Sequence, residues 1–390
     1  DVHGTYDTYG GNRDAAVRHA VQFPGIDPTV LISALAAATE HLGFGVTYST
    51  TYFPPFQAAK LFSTLDHLTN GRIAWNVVNS YLPDAQRQGL GLQLAHDERY
   101  DRADEYLDVC YKLWEQSWDD GAIVLDAAND VHTDPSKVHE IDHHGRWFDV
   151  QGPHMVEPSP QRTPVIFQAG SSARGMQFAS RHGEAVFVAA PQGPAGAELV
   201  TQLRETAAEA GRDPASMKII HATRLIVAET DEQAHAMKAE WDRNFSVEGF
   251  LALFGGWTGI DLGGHSADTP IASIPATAMR TWVERWQRED PDHEWTVGDL
   301  ARRLAEGGAG TAFVGSATTV ADQLEEFADT TGLDGFNLIT SPVPWGLEQV
   351  VDHLVPELQR RGRLRTAYTP DETLRERWFG PGARHPCSQN

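Results

Sequence analysis

Residues 164–175 read Pro164-Val165-Ile166-Phe167-Gln168-Ala169-Gly170-Ser171-Ser172-Ala173-Arg174-Gly175. The run through Phe167 is short, apolar and β-prone, as a strand buried on both faces is. Met176-Gln177-Phe178-Ala179 then opens a helical pattern. A Gly/Ser turn between a strand and a helix presents backbone N–H groups at the positive helix end, and that is an anion site. A plain β–α connection uses the same residues, with Gly170 and Gly175 present only so that the chain can bend. Both readings predict a β–α unit; the first adds a phosphate.

The same alternation extends in both directions. Strands are predicted over 44–51, 72–78, 163–169, 184–190, 217–228 and 335–340. Helices fall between them. Val30, Leu31, Leu35, Ala38 and Leu42 form an apolar series in 28–41, and 55–68 reads similarly. Tyr100, Ala103, Leu107, Cys110 and Trp114 mark one face of a longer helix, and 320–327 marks another with Thr318 or Thr319 as its cap. Alternating strands and helices argue for a parallel α/β sheet. A doubly wound sheet and a (β/α)8 barrel both fit at 390 residues. No Gly-x-Gly-x-x-Gly follows a first strand, so a dinucleotide site has no support. The opening, with Gly4, Gly10, Gly11 and Asn12, reads as the middle of a protein. If the fold is a barrel, a β-α-β piece of roughly 55–65 residues is expected to be absent from this numbering.

Two stretches break the alternation. Residues 120–160 carry a polar stretch and His143-His144-Gly145-Arg146-Trp147-Phe148-Asp149-Val150, expected to be a hairpin insertion. Residues 245–305 form a Gly/Trp/His-rich excursion, expected to be a lid. The whole chain, 1–390, reads as a single domain.

Composition narrows the function. Lys and Arg number 31 against 54 Asp and Glu, a net charge of -23. That surface disfavours nucleic acid and anionic membranes but allows a local anion pocket made of amides. Cys110 and Cys387 are too few and too far apart for a disulfide framework, which fits the cytoplasm. No apolar run approaches about 18 residues.

Several side chains stand where chemistry is possible. His96 and Tyr100 are four apart at a helix start and share a face; they can bond a phosphate, or serve as a cap and a core residue. Thr47, Ser49 and Thr51 alternate on one strand face, and Ser80 closes the next strand. His132, His139, His143 and His144 lack the spacing of a metal site, and no metal is expected. His293 and His265 lie in the excursion and are candidate acid/base or substrate contacts.

Together these stretches resemble one family, the flavin-dependent monooxygenases of the bacterial luciferase-like superfamily. The branch is that of nitrilotriacetate monooxygenase, dibenzothiophene-sulfone monooxygenase and pristinamycin synthase. The resemblance is carried by Thr64 to Arg72, Trp75-Asn76-Val77-Val78, His96 to Tyr100 with Arg102 to Glu105, Val138-His139 with Asp142-His143, Gln168 to Gly175, and Thr258 to Leu262. It implies a luciferase-like (β/α)8 TIM barrel that binds FMN, as FMNH2, at the C-terminal face of its strands. The family's flavin contacts carry over to Asp1, Thr47, Ser80, His96, Tyr100 and Ser172, with Gly170, Ser171 and Ser172 at the phosphate. The family usually has Thr before the fourth-strand serine; here the residue is Asn79. The resemblance further implies a separate NAD(P)H-dependent flavin reductase, oxygen activation through a C4a-peroxyflavin, a small organosulfur or related substrate, and a homo-oligomer, dimer or tetramer. Two other readings are a deazaflavin-dependent hydride-transfer enzyme on the same fold and a non-catalytic flavin-binding copy.

Overall fold

The computed structural model describes residues 3–80, 82–90, 94–170, 172–274, 290, 292–307, 312–340 and 342–386. Asp1 and Ser171, two of the expected flavin contacts, and Cys387 lie outside the described residues. In chain order the strands are β1 Phe44–Ser49, β2 Ile73–Val78, β3 Ile123–Asp126, β4 Val131–Thr133, β5 His143–His144, β6 Asp149–Val150, β7 Val165–Gln168, β8 Ala185–Val188, β9 Lys218–Ala228, β10 Ala312–Ser316 and β11 Gly335–Thr340. The helices are α1 Asp14–Arg18, α2 Pro28–Ala38, α3 Pro55–Leu68, α4 Pro83–Arg87, α5 His96–Tyr111, α6 Ala173–His182, α7 Pro194–Glu209, α8 Asp231–Arg243, α9 Val247–Thr258, α10 Val297–Gly307, α11 Ala317–Thr331, α12 Trp345–Gln349, α13 Val355–Arg360 and α14 Leu374–Phe379.

Among the described residues, seven strands make one parallel sheet. The ladder runs β1-β2-β7-β8-β9, and β11 lies on the far edge of β9. These are the six strands expected from the alternation. The seventh, β10, pairs with Arg224 to Ala228, beyond the stretch that β8 occupies. Sequence reading missed it because its apolar core, Ala312-Phe313-Val314, is only three residues long before Gly315. Missing it also displaced the cap of α11. Ser316, not Thr318 or Thr319, accepts from the Thr319 N–H.

The two faces of the sheet follow the strand period of two. Val46, Tyr48, Trp75, Val77 and Ile166 point to α3 and α5 and make the largest core cluster. Gly45, Thr47 and Asn76 take the inner face. A Cβ on Gly45 would come 2.7 Å from the Phe167 ring, so the inner face is tightly packed near its base.

α2 departs from its predicted face. Thr29, Ile32 and Ala36 are buried, whereas Val30, Leu31 and Leu35 of the apolar series are exposed. Asp27 caps Thr29 and Pro28 fixes the first turn, which sets the helix phase. The small Ala36 and the neighbouring Ile32 then turn toward the sheet. In 120–160, β3 pairs with β4 and β5 with β6, two short antiparallel hairpins. The excursion is more helical than its glycines suggested. α9 contains Gly249, Gly255 and Gly256, and a Cβ on Gly256 would fall 1.6 Å from the Tyr6 ring, so only glycine fits there.

α14 seals the base of the sheet. The Leu374 N–H donates to Gly71 O just before β2, and Trp378 stacks on Phe167 at 5.4 Å. Arg375 is fully buried and grips Glu184 through two nitrogens, Nε to Oε1 at 2.7 Å and Nη2 to Oε2 at 2.8 Å. Its remaining donors bond the carbonyls of Gln161, Thr163 and Pro164.

Buried histidines, His154, His221 and His385 foremost among the described residues, make the fold acid-sensitive. Burial holds His154 and His221 down to about 4 and His385 down to about 3. The unfolded chain takes up these protons near pH 6.5, before the folded one can. Their stability contribution is therefore whole above pH 6.5 and lost as pH falls toward 4, on the order of 3 kcal/mol per site. Urea denaturation at pH 7.5, 6, 5 and 4 is expected to show this fall; a flat profile to pH 4.5 would contradict it.

Candidate active site

The C-terminal ends of β1, β2 and β7 meet the N-terminal ends of α5 and α6. Thr47 lies opposite Asn76 in the β1–β2 register, and its hydroxyl accepts from Asn76 Nδ2 at 2.9 Å. One turn of strand farther on, the Ser49 and Ser80 hydroxyls are 2.7 Å apart. Two arginines from α5 clasp this rim. Arg99 Nη1 donates to Ser80 O at 2.8 Å, and Arg102 donates to Thr50 O. Burial lowers the pKa of both guanidinium groups from the usual arginine value.

Arg99, Arg102 and Asn76 lie in the stretches that carry the family resemblance, but sequence reading assigned none of them a contact role. The first two occupy the helix turn between His96 and the core residue Ala103, where surface charge is the ordinary expectation. Among the described residues, Asn76 Oδ1 and Arg99 Nε are buried and form no hydrogen bond. A buried polar atom without a partner costs about 1–3 kcal/mol. An unpaired acceptor and an unpaired donor at one rim are therefore a mark of a ligand-binding place.

The turn after β7 is built around missing side chains. The Gly170 N–H donates to Gln168 Oε1 at 2.6 Å. A Cβ on Gly170 would lie 2.9 Å from Gly175 Cα and 3.0 Å from Tyr100 Oη; one on Gly175 would lie 2.9 Å from Tyr100 Oη. Both glycines are thus required by close approach. Ser172 is the N-cap of α6, its Oγ accepting from the Gly175 N–H at 3.0 Å. The hydroxyl proton remains to be donated, alongside the outward N–H groups of the first helical turn. Ser172→Ala is expected to lower stability by about 1 kcal/mol through loss of the cap, read as a lower urea midpoint at constant m. An unchanged midpoint would show that the cap contributes nothing.

Tyr100 joins the two helix starts. Its ring meets His96 edge-on at 5.3 Å and Phe178 at 5.5 Å. His96 is half exposed and bonds Asp97 Oδ1 at 2.7 Å. Thr47, Ser80, His96, Tyr100, Gly170 and Ser172 therefore share one rim, linked by contacts from β1 to α6.

His293 and His265 are engaged elsewhere. His293 Nε2 lies 3.2 Å from Asp299 Oδ2, and its ring packs edge-on against Trp295 at 4.5 Å. Asp299 also accepts from the Thr296 hydroxyl and N–H at the start of α10. His265 sits in a turn, its N–H bonded to Leu262 O. The residues around them form the excursion's own core, from Leu251 to Ala301. Residues 275–289 and 291 of the excursion lie outside the described residues. Of the hairpin histidines, His144 and His132 bond locally, to Asp142 and Thr133, while His139 reaches Asp119 and His143 reaches Glu105 on α5.

Comparison with known proteins gives the same answer at three levels. Residues 14–334 match the family model of luciferase-like monooxygenases. Over 395 residues the chain is 45% identical to the dimethyl-sulfide monooxygenase of Hyphomicrobium sulfonivorans, covering 100% of this chain and 82% of that protein. It is also 45% identical to the long-chain alkane monooxygenase of Geobacillus thermodenitrificans, covering 98% and 82%. A crystal structure of a long-chain alkane monooxygenase superposes with a TM-score of 0.89 at 45% identity, covering 100% of this chain and 85% of that one. That agreement puts the parallel arc from β1 to β11 in the luciferase-like barrel fold. The chain belongs to the luciferase-like monooxygenase family and is a monooxygenase of the flavin-dependent type.

Proposed function

We propose that the chain is the oxygenase of a two-component system, fed with FMNH2 by a separate NAD(P)H-dependent flavin reductase, and that it oxidises a small organosulfur compound. The observation that carries the substrate class is the set of relatives. A dimethyl-sulfide monooxygenase at 45% identity, a dibenzothiophene-sulfone monooxygenase at 39% and an N-acetyl-S-(2-succino)cysteine monooxygenase at 37% are each named for a sulfur compound.

The rim fits FMN. The Gly170–Gly175 step and the α6 N-terminus suit the phosphate, held by the Ser172 hydroxyl and backbone N–H groups. Asn76 Oδ1 and Arg99 Nε, a spare acceptor and a spare donor, suit the polar edge of the flavin ring, beside Thr47 and Ser80. His96 and Tyr100, which meet edge-on beside the Gly170–Gly175 turn, would contact the bound cofactor from the start of α5. Bound reduced FMN activates oxygen for insertion of one atom into the substrate. The protein binds and orients the reactants and excludes water. In this reading the described parts of the excursion, 245–274 and 292–305, serve as the lid, and His293 acts within it through its bond to Asp299. His293→Ala is expected to raise the share of reduced flavin lost as hydrogen peroxide, measured as product formed per peroxide released. An unchanged ratio would remove His293 from the chemistry.

The test of the whole reading is an anaerobic titration with FMNH2 and with FMN, followed by oxygen and a panel of a dialkyl sulfide, a sulfone, an alkane and an aminocarboxylate. Preferential FMNH2 binding with oxidation of the sulfur compounds is expected. Turnover of the alkane alone would overturn the substrate class. Failure to bind either flavin would overturn the site.

A further inference from the structure

Asp104 lies on α5 one turn beyond Tyr100 and faces α6. Its two oxygens hold different ends of that helix. Oδ1 bonds His182 Nε2 at 2.7 Å, in the last turn. Oδ2 bonds Arg174 in the first turn. Arg174 and His182 are eight residues apart, about 12 Å of helix. His182 is itself fully buried and fixed from the other side by Tyr111 Oη, 3.1 Å from its Nδ1. Arg174 is also bonded by Asp101 at 3.0 Å and lies over the Tyr100 ring at 5.5 Å.

A carboxylate gripping one helix at both ends opposes its sliding along its axis. The position of α6 along that axis decides where its first N–H groups and Ser172 stand relative to Tyr100. We propose that Asp104 is a positioning residue for the phosphate end of FMN, acting through Arg174 and His182 to lock α6 against α5. The proposal rests on the assignment of the phosphate to the Gly170–Gly175 turn. It also gives Arg174 a different part from that of a phosphate ligand. Its charge is spent on two aspartates, both bonded through the one nitrogen Nη2 at the end of the side chain.

Electrostatics and positioning predict opposite signs. Removing a negative charge next to a bound phosphate tightens FMN if only the field matters. Loosening the lock weakens FMN, since a shift of a fraction of an ångström is enough to misplace such donors. Riboflavin lacks the phosphate and serves as the internal reference. The experiment measures dissociation constants for FMN and riboflavin, by flavin fluorescence, for the wild type, Asp104→Asn and Arg174→Lys. Arg174→Lys keeps the charge, draws the donating nitrogen back from its place between Asp101 and Asp104, and leaves the buried His182–Asp104 bond intact, so it serves if Asp104→Asn does not fold. The expected result is an FMN preference reduced about tenfold in each variant with riboflavin binding unchanged. A retained or increased preference overturns the positioning role. A parallel loss of both ligands overturns it too, showing a general structural defect. A wild type that does not prefer FMN to riboflavin overturns the phosphate assignment itself, and the proposal with it.

Discussion

Replacing Arg375 by Met is expected to cost about 3–5 kcal/mol of folding stability, the usual penalty for leaving one member of a buried pair alone. Glu184, its partner, is as deeply buried as Arg375, and no solvent can take over the lost bonds. Three carbonyls lose their donor as well. The effect has a pH signature. In the wild type, Glu184 has a lowered pKa despite its burial, because the Arg375 charge and its hydrogen bonds outweigh desolvation. Its contribution is therefore present above the ordinary carboxylate range and lost as pH falls through its lowered folded value. Without Arg375, only the Ile166 N–H and the neighbouring His385 oppose burial, and Glu184 takes up a proton more readily, so the difference between variant and wild type narrows as pH falls. Adding Glu184→Gln to Arg375→Met should restore part of the loss, but not the carbonyl bonds. Urea midpoints of the two single variants and the double variant measure this. A single-variant loss below about 1 kcal/mol would place the pair among weak, solvent-screened ion pairs.

Gly170→Ala is expected to weaken FMN binding about a hundredfold, the scale set by misplacing a binding group by about 1 Å. The added methyl meets backbone at Gly175 as well as the Tyr100 hydroxyl, so no side-chain rotation relieves it. The turn has to open, and opening separates Ser172 from the rim. Overpacking of this kind also costs about 1–3 kcal/mol of stability. Comparing the loss for FMN with that for riboflavin separates the two effects. An FMN affinity equal to that of the wild type would mean that the phosphate lies elsewhere.

The sheet was legible where the strand lay in a longer apolar or β-branched run, as in Thr163 to Phe167 and Ile73 to Val78. β10 was not, because three apolar residues are also what a loop can carry. The long helix was visible from Tyr100 to Trp114; Ser172 was singled out for the phosphate and not as the N-cap that it is. The outward turn of Val30, Leu31 and Leu35 could not be read, since an apolar stripe says that a helix has two faces but not which one packs. At the rim, the expected residues came from local signals: a Gly/Ser turn, a helix start, alternating hydroxyls. Asn76, Arg99 and Asp104 gave no such signal. Each matters through a partner far away in sequence, as when Asp104 meets His182 78 residues on. Such pairings are visible only after folding.

α14 also bears on the order in which the molecule is made. Its bonds reach back 191 residues to Glu184 and 214 to Gln161. Contacts so distant along the chain are slow to form, because the loop between them must be closed first. A chain emerging from the ribosome has β2, β7 and β8 available long before Arg375 appears. Until then the Glu184 carboxylate keeps its water, and the apolar patch around Phe167 awaits Leu374 and Trp378. Completion of the base is thus a late event of synthesis, and the unfinished chain is the form most in need of a chaperone.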